Sequence, residues 1–408
     1  MASQIARWLG LALLASCVFA RSAQPRPKPG GQPVDPYDPV APEPKPAANT
    51  PEQKVLQLVN RYRQATGLPP VVLDAKLRQG CMEHAEYMRR NRGTEAMVGL
   101  NAHQQRPDLP GATAAGAACG KAADLFPGVS DLEAAVDAWM SGLYHRRPIL
   151  TPSLARIAVG YAKLDDGSLM AALMFVDGDD PSAAGRWPVS YPSDNQTAIP
   201  LEFGNEIPNP VPGGARAGYP LTIQFPAFDK VTGVKARLTD AKGKPVAFFL
   251  SDPEHPATSF GQYGVVCLIP KRPLEPQRRY EVQVEATWKG KQGRWTWSFT
   301  TVTLTRVDAH DEAAVIHALN VPSMVRGKVV HGGMMDSETA FLQIGERTMK
   351  RYKMVSVLIP RAVWQELGGN PARFTGKTVE AEGTPHLVQG KYINVPITIA
   401  EQLRIVEP

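Results

Sequence analysis

The chain has 408 residues, which predicts two to four domains, because a single hydrophobic core rarely grows beyond about 250–300 residues. Its formal net charge is +6, and the basic residues form no concentrated patch, so we expect no nucleic-acid partner. The 38 prolines are the one unusual feature of the composition, and many of them lie near the N-terminus.

Residues 1–20 have the pattern of an export signal. Arg7 precedes a short apolar run over residues 8–16, which is too short to span a bilayer. Two processing sites remain open: the tetrapeptide LASC, which ends at Cys17, resembles the lipobox of bacterial lipoproteins, and residues 18–20 suit ordinary signal peptidase. We therefore expect an exported protein, either extracellular or periplasmic, whose only membrane contact is a lipid anchor on Cys17 if the lipobox is used.

Residues 21–50 contain closely spaced prolines and few apolar residues, so they predict an extended linker without a core. The next segment, residues 51–180, predicts an α+β domain. Three helices are expected to begin after the N-cap residues Thr50, Asp74 and Asp131, and two strands follow in the second half of the segment.

Several separated motifs of this segment occur in a characteristic order. They are LVNRYRQATGLPPV, LRQGCMEHAEYM, a histidine in LNAHQQ, and AVDAWM followed by HRRPIL and IAVGY. This order resembles bacterial members of the CAP superfamily (cysteine-rich secretory proteins, antigen 5 and plant pathogenesis-related proteins), also called SCP-like extracellular proteins. The resemblance implies an α-β-α sandwich, export, and a shallow cleft lined by two histidines and two acidic residues.

Matching the motifs residue by residue gives the candidate cleft. His145 matches the cleft histidine that follows the tryptophan helix, and His103 matches the other cleft histidine. Lys121 stands where the first carboxylate is expected, and Gly142 stands where the second is expected, so both acids are predicted to be absent. With Arg146 beside His145, the predicted binding cleft comprises His103, Lys121, His145 and Arg146.

Two histidines make a poor metal site, because a catalytic zinc usually has three protein ligands. We therefore predict no cofactor, and the alternative is a divalent metal such as zinc on His103 and His145. Catalysis by these two histidines would also lack a carboxylate partner, unless Glu133 or Asp137 reaches the cleft. A further histidine, His84, lies on the inner face of its helix and is expected to be a packed core residue.

The cysteines leave two possibilities open. Cys81 and Cys119 fall in one predicted domain of an exported chain and are candidates for a disulfide. The alternative is that both are buried thiols, as is expected for Cys267.

The rest of the chain predicts two β domains. After a linker over residues 181–198, residues 199–303 contain six short β runs, which predict an antiparallel sandwich resembling immunoglobulin-like or fibronectin type III-like domains. Residues 304–408 contain five strands with a helix, Pro360 to Leu367, between the third and fourth, which is the order of an OB-fold and predicts an OB-like barrel.

The leading functional hypothesis is an exported, non-catalytic binding module with an unidentified ligand in the envelope or outside the cell. Two alternatives remain: a hydrolase of peptides or wall material that uses His103 and His145, and a structural spacer or adhesion-like protein.

Overall fold

The computed structural model describes most of the chain beyond the predicted linker. The described ranges are residues 50–179, 181–204, 206–319, 321–345, 354–388, 391–397 and 400–406. They belong to one compact unit. The predicted signal, Cys17 and the proline-rich linker lie outside the described residues. Within the described ranges, none of the helices combines the length and apolar character that a membrane crossing requires.

The first region mixes helices and strands. Its elements are α1 (Pro51–Ala65), β1 (Val72–Leu73), α2 (Ala75–Arg90), two 3-10 helices (Glu95–Met97 and Gly99–His103), α3 (Ala114–Ala122), β2 (Ala123–Val129), α4 (Leu132–Met140), α5 (Arg146–Ile149), β3 (Leu154–Lys163) and β4 (Leu169–Asp177). The sheet order is β1-β3-β4-β2, with β1 parallel to β3 and the other pairs antiparallel. The mixed α/β character predicted for this region is confirmed.

Helices cover both faces of this sheet. Successive side chains of a strand point to opposite faces, so neighbouring residues of β3 enter different cores. Ile157 and Val159 join the core that includes α1 and α4, whereas Ala158 and Ala162 join the core that includes α2 and α3. The region is therefore a three-layer α-β-α structure.

Local sequence explains where the helices begin. Thr50 accepts a hydrogen bond from the backbone N–H of Gln53 ahead of α1, at 3.3 Å. Asp74 and Asp131 cap α2 and α4 in the same way. Each cap satisfies backbone donors that the first helical turn leaves free. The helix starts predicted after Thr50, Asp74 and Asp131 are therefore all observed.

The second region consists of two four-stranded sheets. Its strands are β5 (Val189–Tyr191), β6 (Gln196–Ile199), β7 (Leu221–Gln224), β8 (Val231–Asp240), β9 (Phe248–Ser251), β10 (Val265–Pro270), β11 (Arg279–Trp288) and β12 (Lys291–Thr301), and 3-10 helices span Pro181–Arg186 and Pro212–Gly214. The sheet orders are β5-β7-β10-β9 and β6-β12-β11-β8. All pairs are antiparallel except β6 with β12.

The predicted linker over residues 181–198 contains parts of these sheets. Val189 and Tyr191 are buried, so β5 forms in a segment whose many prolines and serines predicted irregular structure. The strands of the second region therefore begin before residue 199. One continuous apolar cluster runs from Trp139 of α4 through Tyr191 to Leu221 of β7, so the first and second regions share a core.

The third region has a separate core. Its elements are β13 (Thr305–Asp308), α6 (Glu312–His317), β14 (Ser323–Met334), β15 (Thr339–Ile344), β16 (Met354–Pro360), α7 (Arg361–Glu366), a 3-10 helix (Pro371–Arg373), β17 (Thr378–Gly383), β18 (His386–Val388), β19 (Tyr392–Pro396), a 3-10 helix (Ala400–Gln402) and β20 (Leu403–Val406). The strands pair in the order β18-β19-β16-β15-β14-β17-β20, and β13 lies beside β14. Helix α7 lies between the third and fourth predicted strands, but the described strands form no closed barrel. The immunoglobulin-like and OB-like classes therefore stay predictions.

Candidate functional site

A cleft of about 840 Å³ lies between the first and second regions. The first region lines it mainly with charged and polar side chains: His103, Lys121, Asp124, His145, Arg147 and Asp177. The residues that follow line it mainly with apolar side chains: Ile207, Phe225, Pro226, Phe228, Phe260 and Tyr263. The cleft is therefore built jointly by the predicted site region and the β region after it.

His145 is held at the turn between α4 and α5 by a distant carboxylate. The Nδ1 of His145 lies 2.8 Å from Oε2 of Glu206. The same carboxylate accepts hydrogen bonds from the backbone N–H groups of Leu143, Tyr144 and His145. The side chain of Glu206 is 3% exposed, so this ion pair is shielded from water.

A second carboxylate, that of Asp124 on β2, also acts on His145. Asp124 is buried, and burial raises the pKa of its carboxyl to about 7, with the charge of Glu206 adding to the rise and those of His145 and Arg147 opposing it. Among the described residues, Oδ2 of Asp124 has no hydrogen-bond partner. Asp124 is therefore placed to gain or lose a proton near neutral pH, beside a histidine.

Asp124 and Glu206 together raise the pKa of His145. Burial lowers the pKa of the imidazole, but the charge of Asp124, together with the hydrogen bond and the charge of Glu206, outweighs it and raises the pKa. Both carboxylates therefore shift His145 towards its protonated form, because each stabilises the positive charge of the imidazolium.

His103 takes a different state. Its Nδ1 lies 2.9 Å from the carbonyl oxygen of Gly120, so Nδ1 donates and carries the proton. Burial lowers the pKa of His103, the hydrogen bond to Gly120 opposes this, and the charge of His145 lowers it further. The cleft thus places a histidine with a lowered pKa near a histidine with a raised pKa.

His84 lies beneath this site and does not line the cleft. It is fully buried, its Nδ1 lies 3.1 Å from Nε2 of Gln105, and burial, with the charge of His103, lowers its pKa to about 4. A Cβ atom at Gly120 would lie 2.3 Å from the His84 ring. His84 is therefore a packed, uncharged histidine whose space requires glycine at position 120.

The two neighbouring arginines have opposite placements. Arg146, which the sequence places in the cleft, is buried and stacks on Tyr191 and Tyr219, whereas Arg147 lines the cleft and stacks on Tyr263 at 4.4 Å. The cleft therefore contains Arg147 in place of Arg146, because the turn into α5 directs the first arginine into the shared core.

The two acids considered as substitutes do not reach the cleft. Asp137 accepts a hydrogen bond from the hydroxyl of Tyr62 at 2.6 Å, and Glu133 pairs with Lys54 at 3.5 Å. Within the part of the chain that the structure describes, no three His, Cys, Asp or Glu side chains are grouped so that they could hold a metal ion.

A disulfide joins Cys81 of α2 to Cys119 of α3, with 5.2 Å between their Cα atoms. Cys119 directly precedes Gly120, the acceptor for His103. The bond therefore ties residues 120–122 of α3, which we call the cleft floor, to α2. Cys267 lies buried on β10 as a free thiol, and burial raises its pKa to about 12.

Asp124, Glu206 and Arg147 were not among the cleft residues predicted from sequence. Asp124 had a local signal, since it is a single acid within the apolar strand ADLF, where a charge is costly to bury. Glu206 had none, because it lies 61 residues after His145 and outside the matched motifs.

The comparisons with known proteins bear mainly on the first region. The search of the curated proteins gives no match. Among the solved structures, CopC from Methylosinus trichosporium OB3b is similar at 12% identity and a TM-score of 0.20, over 28% of this chain and 89% of that chain, and a likeness this low carries no argument here. Residues 56–176 match the model of the CAP family, described as the cysteine-rich secretory protein family, so the α-β-α region of this chain is a CAP domain.

Proposed function

We propose that this is an exported CAP-domain protein whose cleft binds a ligand of the envelope or extracellular space through apolar or aromatic groups. The observation that supports this is the clustering of exposed apolar side chains around one cleft. Five large hydrophobic residues that are exposed to solvent all line it: Leu100, Ile207, Phe228, Phe260 and Tyr263. Exposed apolar side chains that cluster in this way are characteristic of interaction sites.

The chemistry of the cleft suits a ligand that is apolar on one side and polar on the other. Phe228 is 95% exposed, so covering it removes apolar area from water at about 25 cal/mol per Å². The opposite wall offers Lys121, Arg147, Asp124 and Asp177, whose charges can orient the polar part of a ligand.

A fluorescent apolar anion, 8-anilinonaphthalene-1-sulfonate, serves as the probe of this cleft. We expect Phe228→Ser to weaken binding of the dye several-fold, because the substitution removes an exposed ring from the apolar wall. Met335→Ser is the matched control, since Met335 is 53% exposed in the third region and away from the cleft. Equal dye binding by the two variants and the unaltered protein would contradict the proposal and leave the spacer or adhesion-like role.

Acid–base hydrolysis of peptides or wall material is a second candidate, and a specific observation supports it. His145 is flanked by Asp124 and Glu206, so it does not lack the carboxylate partners that the sequence predicted to be missing. Hydrolysis of casein or muropeptides by the purified protein, lost in both His145→Ala and Asp124→Asn, would support this activity. No hydrolysis by the unaltered protein, or hydrolysis that survives both substitutions, would reject it.

Export and anchoring have their own test. The two processing sites predict different mature N-termini, acylated Cys17 or Arg21, and mass spectrometry of protein isolated from cells distinguishes them. A mature protein that retains residue 1 would contradict export.

A further inference from the structure

We propose that Glu206 is the positioning residue of the cleft: it holds the turn that carries His145 and fixes the proton of that histidine on Nδ1. The proposal rests on the proposed function only in taking the His145 cleft as the functional site. Glu206 lies beyond residues 56–176, so the CAP domain obtains this part of its site from the segment that follows it.

Four donors converge on the carboxylate of Glu206. Backbone N–H groups of Leu143, Tyr144 and His145 and the Nδ1 of His145 all lie within hydrogen-bonding distance of Glu206. Successive N–H groups that point at one place form a nest for an anion. Because two of these contacts involve His145 itself, the carboxylate constrains both its backbone and its ring.

Glu206 also fills the space beside Gly142. A Cβ atom at Gly142 would lie 2.5 Å from Oε2 of Glu206, so the carboxylate occupies the space that any side chain at position 142 would need. Position 142 is where the resemblance placed an acidic residue. A glycine there and a glutamate at position 206 together place a carboxylate beside His145.

Two residues shortly before Glu206, Phe203 and Gly204, are anchored by backbone hydrogen bonds. The backbone N–H of Gly204 donates to the carbonyl of Ser141 at 3.2 Å, and that of Phe203 donates to the carbonyl of Ala217 at 3.0 Å. One contact ties the segment to the end of α4 and the other ties it to the second region. Gly204, two residues before Glu206, is therefore held beside the helix end that precedes the turn of His145.

The contact with Glu206 determines which ring nitrogen of His145 carries the proton when the ring is neutral. When Nδ1–H donates to Glu206, the neutral imidazole keeps its proton on Nδ1 and has its lone pair on Nε2. Other ionisable groups also act on this part of the cleft: Asp124 and His103 interact with His145, and Arg147 interacts with Asp124. Tyr144 and Cys267 interact with Glu206. Removal of the Glu206 charge should therefore change the protonation of His145 while Asp124 still acts on it.

Nitrogen-15 NMR of the full chain labelled at histidine measures this without any ligand. His145→Gln identifies the His145 signals. In the unaltered protein we expect the neutral ring to be protonated on Nδ1. In Glu206→Gln we expect the pKa of His145 to fall by about one unit or more, because a nearby opposite charge shifts a pKa by roughly 1–3 units.

Glu202→Gln is the matched control, because Glu202 belongs to the same segment and pairs with Arg216 away from the cleft. It should leave the signals and pKa of His145 unchanged. An unchanged pKa in a folded Glu206→Gln protein would overturn the proposal. If that variant does not fold, the unaltered protein still decides, since a neutral His145 protonated on Nε2 is incompatible with the proposal. Dye binding tests the proposed function separately, so the two can fail independently.

Discussion

The guanidinium of Arg146 lies 4.8 Å from the centre of the Tyr219 ring, so a charged side chain of the CAP domain is buried against the second region. It stacks on Tyr191 as well, and it donates to the carbonyl oxygens of Met140 and Pro220, both at 2.7 Å. The second of these bonds joins the two regions directly. A cleft between the regions can keep a fixed shape only if such contacts hold them together.

Arg146→Met should therefore destabilise the protein strongly. Methionine keeps much of the volume, but it removes the guanidinium donor of the buried Pro220 carbonyl and one of the two donors of the Met140 carbonyl, which keeps its bond from the Tyr219 hydroxyl. An unsatisfied buried group costs about 1–3 kcal/mol, and the stacking on two tyrosine rings is lost as well. We expect the free energy of unfolding, measured by urea denaturation, to fall by about 2–5 kcal/mol. The control is Arg272→Met, since the Arg272 side chain is 84% exposed, and its effect should stay within about 0.5 kcal/mol. Equal effects of the two substitutions would show that Arg146 does not link the regions.

Gly120→Ala should also destabilise the protein, although alanine is the better helix former. The helix propensity of alanine favours the variant by about 1 kcal/mol, but its Cβ would lie 2.3 Å from the buried His84 ring. Overpacking of this kind typically costs about 1–3 kcal/mol, so the clash outweighs the propensity in thermal unfolding. Adding His84→Ala to Gly120→Ala should cost less than the sum of the single effects. Gly185→Ala, which has no atom within 4 Å of the new Cβ, is the neutral control.

The pH dependence of stability should report the buried state of His84. Its pKa in the folded protein is about 4, below the usual 6.5, chiefly because burial disfavours the charged ring. Between pH 4 and pH 6.5 the unfolded state therefore binds more protons than the folded state. The stability that the buried, uncharged His84 contributes is fully present above pH 6.5 and is lost as the pH falls towards 4. We expect the loss to be about 3 kcal/mol. His84→Gln should flatten the urea-denaturation profile over this window. His255→Gln is the control and should leave the profile unchanged, because the His255 side chain is 81% exposed. A His84→Gln profile as steep as that of the unaltered protein would contradict this prediction.

Features that depend on neighbouring residues, such as helix caps, could be predicted from the sequence. Features that depend on contacts between distant segments, such as the carboxylates of the cleft, could not. Asp74 is a capping residue in sequence and in structure, because its donors lie two and three residues away. The roles of Arg146 and Arg147 could not be separated, since only the direction of the turn into α5 decides which one reaches the cleft. Glu206 reaches His145 across 61 residues, and no periodicity encodes such a contact. Positions 121 and 142 hold no carboxylate, as the motifs indicated. The carboxylates beside His145 come instead from Asp124 and Glu206, which no motif marks.

The Cys81–Cys119 disulfide should stabilise both the CAP domain and the floor of its cleft. It closes a loop with a sequence separation of 38, for which the loss of chain entropy in the unfolded state predicts about 4 kcal/mol. Reductant should therefore lower the urea midpoint of the unaltered protein, and it should leave that of the Cys81→Ala/Cys119→Ala variant unchanged. Because Cys119 adjoins Gly120, which accepts from His103, the double variant should also loosen that contact and change the histidine NMR signal of His103. A midpoint that does not respond to reductant would show that the bond contributes little, and an unchanged His103 signal would show that the cleft floor holds its shape without it.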